Sequence, residues 1–218
     1  MIEILDLGLN NLTSLRSALG DSTNAKIRVV SSADDSGSPR LLILPGTGSF
    51  GAAMQVLREN GFSDVLRRQQ TSSSFFLAGI CLGAQLLAIQ SEESPGVDGL
   101  GFVRGSVERL PRIVGDMDLL GRVPHVGWSA LERDGGNIGR NSFHFDEKNQ
   151  GDVYYSHSYH VVLDEPQAEI LWSRRGRERF VAAFRKDLVS GYQFHPEKSS
   201  KAGQRVISEM LNWAGIEN

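Results

Sequence analysis

One cysteine, seven prolines and no block of like charge: what this 218-residue chain lacks already excludes several roles. A single thiol, Cys81, cannot close an internal disulfide, which fits a reducing cytoplasm. The formal net charge of -3, with no run of one sign, argues against a nucleic-acid partner. Neither the CxxC nor the HExxH spacing occurs, so no metal and no cofactor is expected. There is no internal repeat and no low-complexity tract. The longest apolar stretch, FFLAGICLGAQLLAI over 75–89, is broken by Gly79, Gly83 and Gln85. It reads as a buried strand running into a helix, not as a membrane span. The opening MIEILDLG lacks the basic region and long apolar run of a signal peptide, so a cytoplasmic location is expected.

What is present points to one compact α/β domain over 1–218, since 40% of the residues are hydrophobic and can fill a core. In the first part of the chain, apolar runs over 2–7, 26–30, 40–46 and 73–80 read as strands. Helical patterns separate them, over 11–19, over 50–70 with a break near Gly61, and from Leu82 through Gln90. Strands alternating with helices predict a mostly parallel central sheet covered on both faces. Later, 101–110, 152–163, 169–175, 179–187 and 188–196 read as strands in quick succession, a mixed or antiparallel extension of that sheet. The basic stretch 173–179 reads as a hairpin facing solvent, and 112–150 as loops. A last helix over 201–214 gathers Val206, Ile207, Met210, Leu211 and Ala214 on one stripe.

The sharpest feature is GICLG at 79–83, a nucleophile elbow with cysteine in the place of serine. A turn this tight forces strained backbone on the nucleophile, and Gly79 and Gly83 remove side chains that would collide. It lifts the sulfur out of the sheet over a helix N-terminus, whose dipole favours the reactive thiolate. The Leu82 amide would point to where an oxyanion develops. A lone cysteine is otherwise most often a buried structural residue.

A cysteine nucleophile needs a base. Of the five histidines, His195 in GYQFHPEKS lies at the end of a predicted strand, with Glu197 two residues on. On an extended backbone both side chains lean to one side, so Glu197 can steady the imidazole while His195 exchanges a proton with Cys81. Pro196 stiffens the link. Alone, HPE fits a strand-end loop with a solvated glutamate; the elbow upstream changes that balance.

In that order along the chain, LPGTGSF, GICLGAQLL, VPHVGWS, HSYH and GYQFHPEKS resemble the class I (triad-type) glutamine amidotransferases. Within them the chain is similar to glutaminase subunits of imidazole glycerol phosphate synthase, from Met1 to the last helix. The resemblance implies that Cys81, His195 and Glu197 are the catalytic triad. It places Gly46, Thr47 and Gly48, with Leu82, around the oxyanion site, in a loop where partner signals act. Gln85, His157, Ser158 and Tyr159 would line the glutamine pocket, and Lys198 the docking surface. Read singly, Gln85 is a polar residue on a helix face, Tyr159 a core aromatic and Lys198 a solvated charge. The family's partner is a (β/α)₈-barrel synthase subunit forming a heterodimer, with ammonia passing between the two. The implied products are imidazole glycerol phosphate and an aminoimidazole carboxamide ribotide.

Four positions depart from the family pattern: Asn10 where Gly is usual, Ala84 for Met, Ser156 for an apolar residue and His160 for Tyr. HSYH is also similar to paralogues that supply ammonia for amidation of bacterial surface sugars, which leaves the acceptor open. A non-catalytic module or a cysteine peptidase on the same fold are the other readings. The intact triad speaks against the first, and the HPE pairing against the second.

Overall fold

All four residues of Ile2–Leu5 are buried, because strands of a parallel sheet are covered on both faces. A computed structural model describes residues 1–8, 12–72, 74–111, 123–133, 142–144 and 151–216; Asn10 and most of the expected 112–150 loops lie outside them. In chain order the elements are β1 (Ile2–Leu5), α1 (Leu12–Gly20), β2 (Ile27–Val30), β3 (Leu41–Leu44), α2 (Phe50–Glu59), α3 (Phe62–Ser72), β4 (Phe76–Ile80), α4 (Leu82–Leu86) and β5 (Gln90–Ser91). There follow β6 (Gly105–Arg109), β7 (His125–Ser129), β8 (Glu132–Arg133), β9 (Val153–His157), β10 (Tyr159–Leu163), β11 (Glu169–Arg175), β12 (Glu178–Lys186), β13 (Val189–Tyr192) and α5 (Ser200–Trp213).

The main sheet runs β2-β1-β3-β4-β13-β12-β11-β8. Its first five strands are parallel and the remaining three antiparallel. One core packs the sheet against α1 and α5, the other against α2, α3 and α4, so helices cover both faces as expected. Among the described residues no helix is long and apolar enough to cross a membrane.

Several sequence expectations are corrected. The run 152–163 is two strands, not one. Its chain bends at Ser158, so β9 pairs with β7 in a ribbon while β10 joins β6 and β5 in a separate small sheet. These strands do not extend the main sheet. Within 112–150, expected to be loops, the described residues include β7 and β8, where alternation in HVGWS buries His125 and exposes Val126 and Trp128. The helix expected through Gln90 stops at Leu86. Amides of Leu100, Phe102 and Gly101 take the carbonyls of Leu86, Leu87 and Ala88, so the next turn has no acceptors left. The basic hairpin does not wholly face solvent. Strand alternation turns Arg175 inward to 1% exposure, where it donates to the Pro111 carbonyl, while Arg174 points out to Glu132.

Candidate active site

Parallel pairing of β4 with β13 sets Ile80 opposite Tyr192. The residues just past these two strands therefore emerge at one carboxyl edge of the sheet, where open α/β folds build their sites. Cys81 follows β4 directly, and its amide donates to the Tyr192 carbonyl at 2.7 Å. Its backbone is at φ 52° and ψ -109°, a conformation costly for a side-chain-bearing residue and one that marks functional turns. The glycines permit it. A Cβ on Gly79 would lie 2.6 Å from Gly83, and one on Gly83 only 1.7 Å from the Leu44 carbonyl oxygen. The elbow thus sits tight against the end of β3.

His195 follows β13 and is buried. Its Nδ1 lies 2.8 Å from Glu197 Oε1, and Cys81 is near enough to act on the charge of the ring. The expected pairing is present, but not through an extended chain. Pro196–Lys198 forms a short 3-10 turn that swings Glu197 back to the imidazole. Burial alone would lower the His195 pKa; the hydrogen bonds and charges of Cys81 and Glu197 outweigh it and raise the value from 6.5 to about 9. The imidazole is therefore charged at neutral pH and faces the sulfur. The helix behind the sulfur, α4, is only five residues long, too short to carry a full helix dipole.

Cys81, 6% exposed, lies on the wall of a cavity of about 330 Å³. Thr47, Gly48, Leu82, Gln85, His157, Ser158, Tyr159 and Lys198 share that wall, so these sequence-derived candidates converge on Cys81. Gly46 lies in a smaller space of about 220 Å³, which also meets Thr47, His195, Glu197 and Lys198. A larger cavity of about 870 Å³ runs along α5 and includes no triad residue.

Two expectations change in detail. The Leu82 amide is not directed at an open oxyanion position: it donates to the Gly46 carbonyl at 3.3 Å. That approach is possible because Gly46 has no Cβ, which would lie 2.6 Å from the Leu82 Cβ. Gln85 spends its amide hydrogens on the protein, one at 2.8 Å to the Tyr159 carbonyl and one at 3.2 Å to Gln193 Oε1. Only its carbonyl oxygen remains for a ligand. His157 is neutral, because burial lowers its pKa to about 3, and its Nδ1 meets the Tyr159 carbonyl at 2.8 Å.

Two residues escaped the sequence reading. Glu93 lines the main cavity, its Oε2 accepting from the Phe50 amide at 2.7 Å; no motif marks it. Gln193, 3% exposed, donates to the Cys81 sulfur at 3.8 Å. It stands two residues before His195, but β13 ends at Tyr192 and the chain bends at 193–194, so its place beside the sulfur does not follow from strand alternation.

Residues 3–212 match the family described as glutamine amidotransferase class-I. The chain belongs to the class I glutamine amidotransferases. It is 38% identical to imidazole glycerol phosphate synthase subunit HisH of Geobacillus thermodenitrificans, over 97% of this chain and 95% of that one. It is 36% identical to the chloroplastic imidazole glycerol phosphate synthase hisHF of Arabidopsis thaliana, over 97% of this chain but 34% of that much longer protein. A crystal structure of a glutamine amidotransferase shares the fold, with a TM-score of 0.71 and 22% identity over 99% of both chains.

Proposed function

We propose that this chain is the glutaminase subunit of an imidazole glycerol phosphate synthase. It hydrolyses glutamine to glutamate and ammonia and passes the ammonia to a (β/α)₈-barrel synthase subunit. The observation that carries the chemistry is His195 held between Cys81 and Glu197 Oε1, the latter at 2.8 Å, on a cavity wall.

In this reading the Cys81 thiolate attacks the glutamine carboxamide carbon. His195 gives its proton to the departing ammonia, leaving a glutamyl thioester. The neutral imidazole then takes a proton from water, which attacks the thioester, and glutamate leaves as the thiolate and imidazolium are restored. Glu197 keeps the ring oriented throughout. Glu93 and the Gln85 carbonyl oxygen complement the glutamine ammonium, and Ser158 and Tyr159 shape the pocket. Gly46, Thr47, Gly48 and Leu82 supply the oxyanion donors once the loop has turned. The reaction belongs in the cytoplasm, where a catalytic thiol stays reduced.

Ammonia release without an acceptor is wasteful, and the Arabidopsis relative joins a matching region to a longer chain. The partner docks over the mouth of the site. Exposed Lys198 stands there between the two cavities, and Val126 and Trp128, 58% and 48% exposed, offer apolar contact nearby, Trp128 against Tyr154. A second reading keeps this chemistry and changes the acceptor to a surface sugar; it rests on His160, which packs against Phe180.

The test is co-purification with a histidine-pathway barrel subunit, followed by glutamine-dependent formation of imidazole glycerol phosphate. A diazo-ketone glutamine analogue should label Cys81 in the wild-type chain and nothing in Cys81→Ser. Absence of a complex, with activity toward a sugar acceptor instead, would move the assignment to the second reading.

A further inference from the structure

Beyond the triad, a line of amide groups ends on the nucleophile. It starts at the Tyr159 carbonyl, which can only accept. The Gln85 side chain must therefore present Nε2 to it, at 2.8 Å, and the assignment of this amide is not arbitrary. The second hydrogen on that nitrogen goes to Gln193 Oε1 at 3.2 Å. With its oxygen committed, Gln193 has only its nitrogen left for the other side, and there stands the Cys81 sulfur at 3.8 Å. That separation is at the long end of what the large radius of sulfur allows for an N–H···S bond. Gln193 and Gln85 are 3% and 5% exposed, so water does not compete for these hydrogens.

We propose that Gln193 is a catalytic residue, a second hydrogen-bond donor to the Cys81 thiolate beside His195, with Gln85 as the positioning residue that turns its amide toward the sulfur. This rests on Cys81 being the nucleophile and adds a partner to it. The donor acts twice. It favours the charged sulfur before attack, and it favours the same charge again when the thiolate leaves the glutamyl thioester. It forms no bond and moves no proton. The Gln85 amide hydrogens are thereby structural, which explains why they are spent inside the protein.

Cys81 is the only cysteine in the chain. Alkylation by iodoacetamide therefore reads this sulfur alone, without glutamine, partner or acceptor. The rate should be followed against pH for the full-length wild type, Gln193→Met and Gln193→Glu. Methionine keeps the volume and loses the donor, while glutamate keeps the shape and brings a repelling charge. Either variant, if folded by circular dichroism, decides the matter. The expected result is a rate-pH curve displaced to higher pH, with alkylation at pH 7 slowed about tenfold, the factor one hydrogen bond to a charged group represents. The rate at high pH stays near wild type. Gln85→Met should displace the curve in the same direction by less. Variant curves that overlay the wild type, or that drop at every pH without moving, would overturn the proposal. A wild-type chain that iodoacetamide does not label would instead remove Cys81 as the nucleophile, so the two failures are distinguishable.

Discussion

The Leu82 amide donates to the Gly46 carbonyl at 3.3 Å, turning the first oxyanion donor back onto the loop that should supply the second. On the proposed assignment of the oxyanion donors, the peptide after Gly46 has to rotate to complete the site, and Gly48, at φ 111°, lies in the same loop. The isolated chain should therefore hydrolyse glutamine slowly. Addition of the barrel partner with its acceptor nucleotide should raise kcat about 10²-fold or more, the scale of one oxyanion donor. Steady-state glutaminase assays with and without the partner measure this; equal rates would mean that the loop is no barrier.

Gly83→Ala tests the elbow. Its Cβ would stand 1.7 Å from the Leu44 carbonyl oxygen, a backbone atom that cannot swing aside. We expect a loss of about 3 kcal/mol or more in urea unfolding, or failure to fold. Gly96→Ala is the control for glycine loss: its Cβ meets nothing within 4 Å, so only its φ of 82° counts against it, and the cost should be clearly smaller.

His195 holds its proton more tightly in the folded chain, with a pKa of about 9 against 6.5. The stabilisation from this proton is complete below pH 6.5 and drains away as pH rises through about 9. In Glu197→Gln the carboxylate charge is gone and part of that rise is lost. The NMR midpoint of the His195 ring should fall below 9, and kcat should drop about 10-fold to 10²-fold as the imidazole loses its orienting charge. An unchanged midpoint would show that Glu197 does not act on the ring.

His157 moves the other way. Burial lowers its pKa to about 3, so the folded chain keeps it neutral while the unfolded chain takes up a proton below pH 6.5. Its contribution is complete above pH 6.5 and is lost as pH falls, at about 1.4 kcal/mol per pH unit down toward the folded value. Denaturant midpoints between pH 4 and 7 should show this slope. His125, lowered to about 4 by burial and by Arg175, adds to the same slope, so His157→Gln should make it shallower without removing it, even if the variant is less stable throughout.

Much of the site was legible because its signals are local. GICLG states an elbow on its own, since only glycine at 79 and 83 leaves room for the turn. HPE states a pairing between residues two apart, although the backbone reaches it by a 3-10 turn and not by an extended strand. Gln193 is not legible in this way, because β13 ends at Tyr192 and the chain bends before His195. The helix after Cys81 is shorter than its pattern predicts because Leu86 to Ala88 surrender their carbonyls to residues 100–102, a contact outside any local pattern.

What the sequence by itself determined was the set of parts: alternating strands and helices, one thiol on a strained bend, and an imidazole with its carboxylate. What only the tertiary structure decided was their meeting and their state. Strands β4 and β13 lie far apart in the chain, and their parallel pairing alone brings Cys81 to His195 and Gln193. The same assembly turned Arg175 inward, set the Gln85 amide by the Tyr159 carbonyl, and joined Leu82 to Gly46. Hydrogen-bond partners across a sheet edge depend on which strands become neighbours, and no single segment carries that information.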